Sequence, residues 1–141
     1  MANHIAVRKM DPGETEQVKE LFETVFEETF FKHAPVFEEA TDGEQIYVAL
    51  LDDRIVGFAS FWEPDRFVHF LLVLPAARHK KIGSLLVNNL AEIYGEPLTL
   101  KCLIRNEEGM AFYRATGWQK TGDGIGEDGA YALLRYAESS C

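Results

Sequence analysis

The chain has 141 residues, 47% of them hydrophobic, which predicts one globular domain over residues 1–141 with a buried core. Lys and Arg number 14 against 23 Asp and Glu, so the formal net charge is −9, which argues against a nucleic-acid partner. The N-terminus lacks the apolar core of a signal peptide, and the longest nearly apolar run, residues 67–77, is too short to span a bilayer. Cys102 and Cys141 make no disulfide framework, so we expect a reduced, cytoplasmic protein without a membrane segment.

The first 35 residues predict a strand followed by helices. The strand covers residues 5–10, and Asp11-Pro12-Gly13 predicts a turn. Apolar residues then recur at helical spacing over residues 14–25, and Phe26 to Phe31 continue a second helical stretch, with a break between the two whose position the sequence does not fix. This segment is strongly acidic. Most of its carboxylates are expected on solvated helix faces, while one or two could attract a cationic ligand.

The middle of the chain predicts a hairpin and a central strand. Residues 45–51 and 55–62 are predicted strands, joined by a tight turn at Asp52-Asp53-Arg54. Residues 67–74 are apolar on both alternating faces except for His69, as expected of a strand buried on both sides. Pro75 should end that strand because it has no N–H to donate.

A basic turn and a helix follow the central strand. The turn contains Arg78, His79, Lys80 and Lys81, and the apolar spacing from Ile82 onward predicts a helix that ends near Gly95. A helix start offers unpaired N–H groups and the positive end of a dipole, both of which attract anions. Together with the basic side chains of this turn, they predict a binding site for phosphate oxygens. The alternative is an ordinary connection with a solvated charge run.

The last third predicts a strand, a helix and a final hairpin. Residues 98–104 form the strand, Asn106 is a good helix N-cap, and Gly117 is the helix stop. Residues 118–121 and 130–136 are the last strands, around a glycine-rich loop. Residues 124–129 satisfy G-x-G-x-x-G, but they precede a strand and do not open a helix, so we interpret them as a hairpin loop and not a dinucleotide site.

Two of these segments resemble motifs of the GCN5-related N-acetyltransferases. Residues 73–86 resemble the central motif V-x-P-x-x-[RQ]-x-x-G-[IV]-[GA]-x-x-L, with Lys81 in place of the first glycine. Residues 106–118 resemble N-x-x-[GA]-x-x-x-Y-x-x-x-G-[FW] with the spacing intact. The order of predicted elements is similar to that of the family across nearly the whole chain.

The resemblance implies a fold, an activity and a cofactor site. The fold is a single α/β domain with a mixed, mostly antiparallel sheet flanked by helices, in which two strands splay apart to admit acetyl-coenzyme A. The activity is acetyl transfer to a primary amine, on a small molecule or peptide, by direct attack on the thioester. A homodimer is also an expectation, and the four histidines lack the spacing of a metal site. The residues expected to bind acetyl-coenzyme A are Leu71, Leu72, Val73, Arg78, His79, Lys80, Lys81, Ile82, Gly83, Ser84 and Asn106.

The resemblance also suggests catalytic residues. Tyr113 occupies the position of a general acid that protonates the departing thiolate. His69 is the candidate general base, because another branch of the family places a carboxylate at the position that is Lys101 here. Strand alternation puts His69 on the face of Leu71 and Val73, and we expect it to be buried. Alternatively, His69 is a histidine of the core without a catalytic role. The base would then be a bound water that relays the proton to a Glu or Asp.

Two rival functions stay open from the sequence. The first is a coenzyme-A-binding regulatory domain that has lost catalysis, suggested by Lys81 and by the absence of a carboxylate at Lys101. The second is an unrelated phosphate-binding domain in which both motifs occur by chance.

Overall fold

The computed structural model describes residues 4–137, so Cys141 lies outside the described residues. The strands are β1 Ile5–Lys9, β2 Gln45–Leu51, β3 Arg54–Trp62, β4 Phe67–Val73, β5 Leu98–Leu103, β6 Gln119–Gly126 and β7 Gly129–Tyr136. The helices are α1 Thr15–Phe30, α2 Phe37–Ala40, α3 Ile82–Tyr94 and α4 Glu107–Ala115. None of the helices within residues 4–137 is long and apolar enough to cross a membrane.

The strands form one mixed sheet in the order β1-β2-β3-β4-β5-β7-β6. Every neighbouring pair is antiparallel except β4 and β5, which are parallel and joined through α3. A parallel pair needs a crossover connection, which α3 provides. The predicted fold class, a mixed and mostly antiparallel sheet flanked by helices, is confirmed.

Strand alternation divides the apolar side chains into two clusters, one on each face of the sheet. Along β2, Tyr47 and Ala49 join the cluster packed against α3, whereas Val48 and Leu50 join the cluster packed against α1. Tyr113 of α4 belongs to the α3 cluster. This two-sided burial fixes the strand register, because a shift by one residue would exchange the two faces.

The first helix is continuous over Thr15–Phe30, so the predicted break into two helical stretches is wrong. Its buried residues are Val18, Leu21, Phe22, Val25 and Phe26, which follow one helical stripe. No Gly or Pro interrupts Thr15–Phe30, so nothing in the backbone ends the helix earlier. It ends where Phe31 adopts a left-handed conformation, with φ 56° and its N–H donating to Glu27 O at 3.0 Å.

The C-terminal hairpin is longer than predicted. Strand β6 extends through Gly124 to Gly126, and the turn contains only Glu127 and Asp128. The interpretation of residues 124–129 as a loop is therefore wrong for residues 124–126, which belong to β6, and for Gly129, which begins β7. A Cβ atom on Gly124 would overlap the ring of Tyr131, its partner on β7. The glycine thus makes room for an aromatic side chain within a strand.

Candidate active site

The site lies where β4 and β5 separate. The parallel register pairs Phe67 with Thr99 at the start of both strands, and this is the one parallel pair among the described residues. Beyond it the strands diverge, and a cleft of about 780 Å³ opens between β4, β5, the start of α3 and α4. The predicted splaying of these two strands is thus present.

The cleft changes the environment of β4. The sequence predicts burial on both faces, but among the residues of β4 only Val68 is fully buried, and Leu71, Leu72 and Val73 are half-buried. All four line the cleft. The apolar composition of β4 therefore serves two purposes, because the strand packs into the core and also forms a wall of the cleft.

The basic turn forms the mouth of the cleft at the start of α3. His79 and Lys81 both adopt positive φ values, 64° and 66°, which place them in the left-handed region. The first hydrogen bond of the helix runs from Leu85 N to Lys81 O at 3.0 Å. The N–H groups before Leu85 thus have no intrahelical acceptor and are available to an anion. Glycine adopts positive φ without strain, so the glycine of the motif that residues 73–86 resemble could take the backbone shape that Lys81 has here.

The guanidinium of Arg78 is held by three elements at once. Its Nε donates to Val73 O at 3.1 Å, and one terminal nitrogen donates to Glu28 of α1, also at 3.1 Å. The other terminal nitrogen lies 3.6 Å from a carboxylate oxygen of Glu108 on α4. These contacts fasten the end of β4 to α1 and α4. The charge of Arg78 is therefore largely compensated within the protein.

Asn106 caps α4 and faces the cleft. Its Oδ1 accepts a hydrogen bond from Gly109 N at 3.0 Å, so the amide oxygen is engaged and Nδ2 is the donor that a ligand could use. Helices α3 and α4 approach closely at this point. A Cβ atom on Gly83 would lie 2.9 Å from the ring of Phe112, which explains the small residue at that position.

Tyr113 contributes a buried phenol to the cleft wall. The residue is 9% exposed and packs edge-on against Phe112 and Trp118. Burial raises the pKa of Tyr113 well above its ordinary value, and the nearby Cys102 adds to the rise, so the hydroxyl keeps its proton at neutral pH. Burial likewise raises the pKa of the Cys102 thiol to about 11, which keeps it neutral.

His69 also lines the cleft, but not in the predicted setting. The β3–β4 register shifts between Ser60 and Phe61, so that Ser60 pairs with Phe70 and Phe61 with Val68, and His69 is the extra residue of a β-bulge. Val68 therefore packs in the same cluster as Leu71 and Val73. The predicted face of His69 and its predicted burial are both wrong: its side chain is 37% exposed and its ring stacks on Phe70.

The imidazole of His69 contacts a carboxylate that is itself held by a serine, and the sequence patterns singled out neither residue. Its Nδ1 lies 2.8 Å from Glu44 Oε2, and the other carboxylate oxygen of Glu44 accepts a hydrogen bond from the hydroxyl of Ser60. Ser60 is fully buried and the Glu44 side chain is 9% exposed. A lone serine in the apolar strand β3 was a usable signal. Glu44 was not recognisable among the many carboxylates of residues 14–44.

The other predicted site residues divide into two groups. Leu71, Leu72, Val73, Arg78, His79, Lys81, Ile82, Gly83 and Asn106 line the cleft. Lys80 and Ser84 do not, and Ser84 lines a separate cavity of about 260 Å³ beside Trp118. Lys101 faces the cleft, with its Nζ 5.0 Å from the centroid of the Tyr131 ring. Within residues 4–137, no group of three His, Cys, Asp or Glu side chains could hold a metal ion.

A mixed sheet that opens between two parallel strands beside a helix N-terminus is the architecture of an acetyltransferase. The family model described as "Acetyltransferase (GNAT) family" matches residues 15–118. The chain belongs to this family, and both motif segments of the sequence lie within the matched range. A comparison with curated proteins gives no match.

Several solved structures share the fold, among them that of an N-acetyltransferase. The PaiA N-acetyltransferase of Thermoplasma acidophilum, in complex with coenzyme A, has a TM-score of 0.76 at 18% identity, over 94% of this chain and 98% of that one. Apo YjaB of Escherichia coli has a TM-score of 0.75 at 22% identity, over 96% and 99%. Naa50 of Arabidopsis thaliana, bound to the bisubstrate analogue CoA-Ac-MVNAL, has a TM-score of 0.72 at 18% identity, over 94% and 98%.

Proposed function

We propose that this protein transfers an acetyl group from acetyl-coenzyme A to a primary amine, with His69 as general base and Tyr113 as general acid. The observation that carries the proposal is the cleft itself. The first residues of α3, Asn106 and Tyr113 all line this cleft, and His69 lines it from β4, which supports the proposal. The start of α3 can bind phosphate, and Asn106 can donate a hydrogen bond to the amide-containing arm of coenzyme A. His69 can accept a proton, and Tyr113 can donate one.

The residues present fit coenzyme A. The start of α3 offers backbone donors to a pyrophosphate, and the apolar wall of Leu71, Leu72 and Val73 suits the pantetheine arm. The left-handed backbone of Lys81 is the conformation that the usual glycine would supply, which supports a cradle built from backbone donors at this position. Since Arg78 is paired with Glu28 and Glu108, we assign it to holding the loop in shape and not to neutralising phosphate.

The acceptor amine needs a base. An amine of pKa about 10.4 is unprotonated in only about one molecule in 2,500 at pH 7, so a group that removes its proton raises the reactive fraction. His69 is on the cleft wall, and its ring is held through Nδ1, which leaves Nε2 to take that proton. Proton transfer of this kind contributes about 10²–10⁴-fold to a rate.

The leaving thiolate and the carbonyl oxygen need stabilisation. When bound, acetyl-coenzyme A supplies a thioester that the amine attacks directly. Tyr113 offers a hydroxyl that keeps its proton at neutral pH to the departing sulfur. The edge of β4 that faces the cleft has backbone N–H groups without a strand partner beyond Phe67, and these can donate to the carbonyl oxygen as it gains charge.

The acceptor is a small amine or the amino group of a peptide. Naa50 was solved with an analogue that joins coenzyme A to a peptide, so this fold can accommodate such an acceptor. In this chain, Glu28, Phe30 and Phe31 of α1 and its C-cap line the cleft opposite β4. Glu28 is already paired with Arg78, so the contribution of this wall to acceptor binding comes from the two rings, which offer apolar contact.

Two measurements test the proposal. Acetyl-coenzyme A should raise the melting temperature, whereas NAD and ATP should not, because a ligand that binds only the folded state stabilises it by mass action. Release of free thiol from acetyl-coenzyme A should then accelerate with at least one member of an amine panel. Stabilisation without turnover of any amine would support the coenzyme-A-binding regulatory domain instead. Stabilisation by ATP or NAD as strong as by acetyl-coenzyme A would favour the unrelated phosphate-binding domain.

A further inference from the structure

A carboxylate and a hydroxyl lie behind His69, outside the cleft. Glu44, in the loop before β2, approaches the imidazole to 2.8 Å at Nδ1, and Ser60 of β3 donates to the second carboxylate oxygen. Neither residue lines the cleft, whereas His69 does. The three side chains therefore form a chain of contacts that starts at a fully buried serine and ends at the wall of the cleft.

The burial of this chain of contacts indicates that its geometry is fixed. The Glu44 side chain is 9% exposed, and a carboxylate withdrawn from water requires donors at both oxygens, which Ser60 and His69 provide. Stacking on Phe70, with centroids 4.0 Å apart and planes 21° apart, fixes the ring of His69 from another side. The exposed ion pair of His33 with Glu27, by contrast, spans 3.7 Å and has a fully exposed imidazole.

The geometry points to Glu44 as a positioning residue that sets the tautomer and orientation of His69, with Ser60 holding Glu44. An ionised carboxylate only accepts hydrogen bonds, so its neighbour Nδ1 must carry the hydrogen. The neutral ring then keeps its lone pair on Nε2, which is the form that can accept a proton from the acceptor amine. Once the proton has moved from the amine to Nε2, the negative charge of Glu44 stabilises the imidazolium. This inference rests on the proposed role of His69 as the base.

Other charged groups line the cleft with His69. A pH dependence of the rate that is due to His69 must therefore be distinguished from one that is due to these groups. Glu44 is the carboxylate within ion-pair distance of His69 among residues 4–137. The remaining charged or titratable side chains that line the cleft are Glu28, Arg78, His79, Lys81, Lys101, Cys102, Arg105, Glu107, Glu108 and Tyr113.

The test begins with a readout that needs no turnover. In two-dimensional ¹H–¹⁵N spectra of the full chain, the His69 ring signals are assigned as those lost in His69→Gln. We expect the neutral wild-type ring to carry its hydrogen on Nδ1, and the Glu44→Ala variant to lose that preference. A neutral His69 with its hydrogen on Nε2 in the wild type would overturn the inference, whether or not His69 is the base.

Kinetics then separate this inference from the proposed function. With the amine that gives the fastest thiol release, His69→Gln should lower kcat/KM by about a hundredfold or more, the contribution of a general base. Glu44→Gln leaves the base in place and should cost less, about tenfold. The double variant should be no slower than His69→Gln alone, because Glu44 acts through His69. The acid limb of the pH profile should move to lower pH in Glu44→Gln, and the affinity for coenzyme A should not change.

Matched variants keep the outcome decisive. Glu39→Gln removes the same charge from an exposed position in α2 and should leave rate and pH profile as in the wild type. Ser60→Ala replaces Glu44→Gln if the latter fails to fold, and its smaller loss should vanish in the His69→Gln background. The inference about Glu44 would be overturned if the losses in kcat/KM of the two single variants multiplied in the double variant. It would also be overturned if Glu44→Gln kept the wild-type rate and pH profile while His69→Gln was slow. Either result would leave the proposed base in place. A wild-type rate in His69→Gln would overturn the proposed base, and the inference with it.

Discussion

At the scale of single residues, the buried phenol of Tyr113 limits what it can contribute to catalysis. Its pKa is raised well above the ordinary value, whereas a thiol titrates near 8.5, so complete proton transfer from Tyr113 to the thiolate is uphill. Most of the benefit should come from a hydrogen bond that strengthens as the sulfur gains charge. We therefore expect Tyr113→Phe to lower kcat by about ten- to a hundredfold, towards the low end, with little change in affinity for coenzyme A. Steady-state kinetics and calorimetric titration measure the two quantities.

Tyr94→Phe is the matched control for that variant. It deletes a hydroxyl from the same residue type, but the Tyr94 hydroxyl bonds to Tyr47 at 2.8 Å and lies outside the cleft. We expect lower stability and an unchanged kcat in this control. Full activity of Tyr113→Phe would instead make Tyr113 a packing residue beside Phe112 and Trp118.

His69 marks the boundary of what could be predicted at this scale. Its presence on the central strand, and therefore on the wall of a cleft, followed from the sequence. Its face did not, because alternation assumes a regular ladder, and the bulge opposite Ser60 and Phe61 shifts every residue before it by one position. The contact with Glu44 joins residues 25 positions apart, and no periodicity reports such a pair.

At the scale of elements, the turn between β4 and α3 combines a functional role with backbone strain. Lys81 is the N-cap of α3 with φ 66° and ψ 17°, a conformation that costs a residue with a Cβ atom about 1 kcal/mol. Lys81→Gly relieves that strain, and although glycine also makes the unfolded chain more flexible, we expect a net rise in stability of up to about 1 kcal/mol. Affinity for coenzyme A should change by no more than a few fold, because the backbone donors stay in place. Thermal unfolding and calorimetric titration test both expectations.

Lys80→Gly makes the same chemical change one residue earlier, where φ is not positive. Without strain to relieve, this control should lower the melting temperature, because glycine only adds freedom to the unfolded chain. Equal melting temperatures for the two variants would show that the left-handed backbone at Lys81 carries no strain.

The element boundaries show where sequence patterns were sufficient. Pro75 ends β4 as predicted, because the backbone chemistry of proline acts locally. The glycines at 124 and 126 were misinterpreted, because glycine favours turns and also permits a large ring on the neighbouring strand. The cross-strand pairing of Gly124 with Tyr131 decides between these uses, and that register depends on where the turn falls, which the glycines leave open.

At the scale of the whole molecule, the sequence predicted the order of the elements but not how they enclose the site. Two apolar clusters on opposite faces of the sheet follow from strand alternation and could be anticipated. The ion pairs that connect distant elements could not. Arg78 joins α1, β4 and α4, and Lys32 lies 2.6 Å from Asp128 in the β6–β7 turn. The first connection holds the end of the central strand β4 between α1 and α4, and the second joins the turn beside the edge strand β6 to the segment that follows α1.

A further connection ties the first strand to the entry of α1. The guanidinium of Arg8 donates to both carboxylate oxygens of Glu14, at 2.8 and 2.7 Å, and the Asp11 N–H donates to the same carboxylate at 2.9 Å. The hydrogen bond from Arg8, together with that from the Asp11 backbone, lowers the pKa of Glu14 from 4.5 to about 2. A paired geometry of this kind is stronger than an isolated surface ion pair.

This pairing predicts how stability depends on pH. Because the folded pKa of Glu14 lies below its unfolded value, its contribution is complete above about pH 4.5 and is lost as pH falls towards 2. Since Arg8 is partly in water, we expect Glu14→Gln to lower the unfolding free energy by about 1 kcal/mol at pH 7. The difference in melting temperature between wild type and variant should be constant from pH 7 to 5 and shrink towards zero near pH 2. Glu20→Gln, which removes an exposed carboxylate from the middle of α1, should show no comparable pH-dependent difference. Calorimetric melting of the three proteins across this pH range measures these differences. A difference in melting temperature between wild type and Glu14→Gln that persisted at pH 2 would show that the Glu14 carboxylate is not its source.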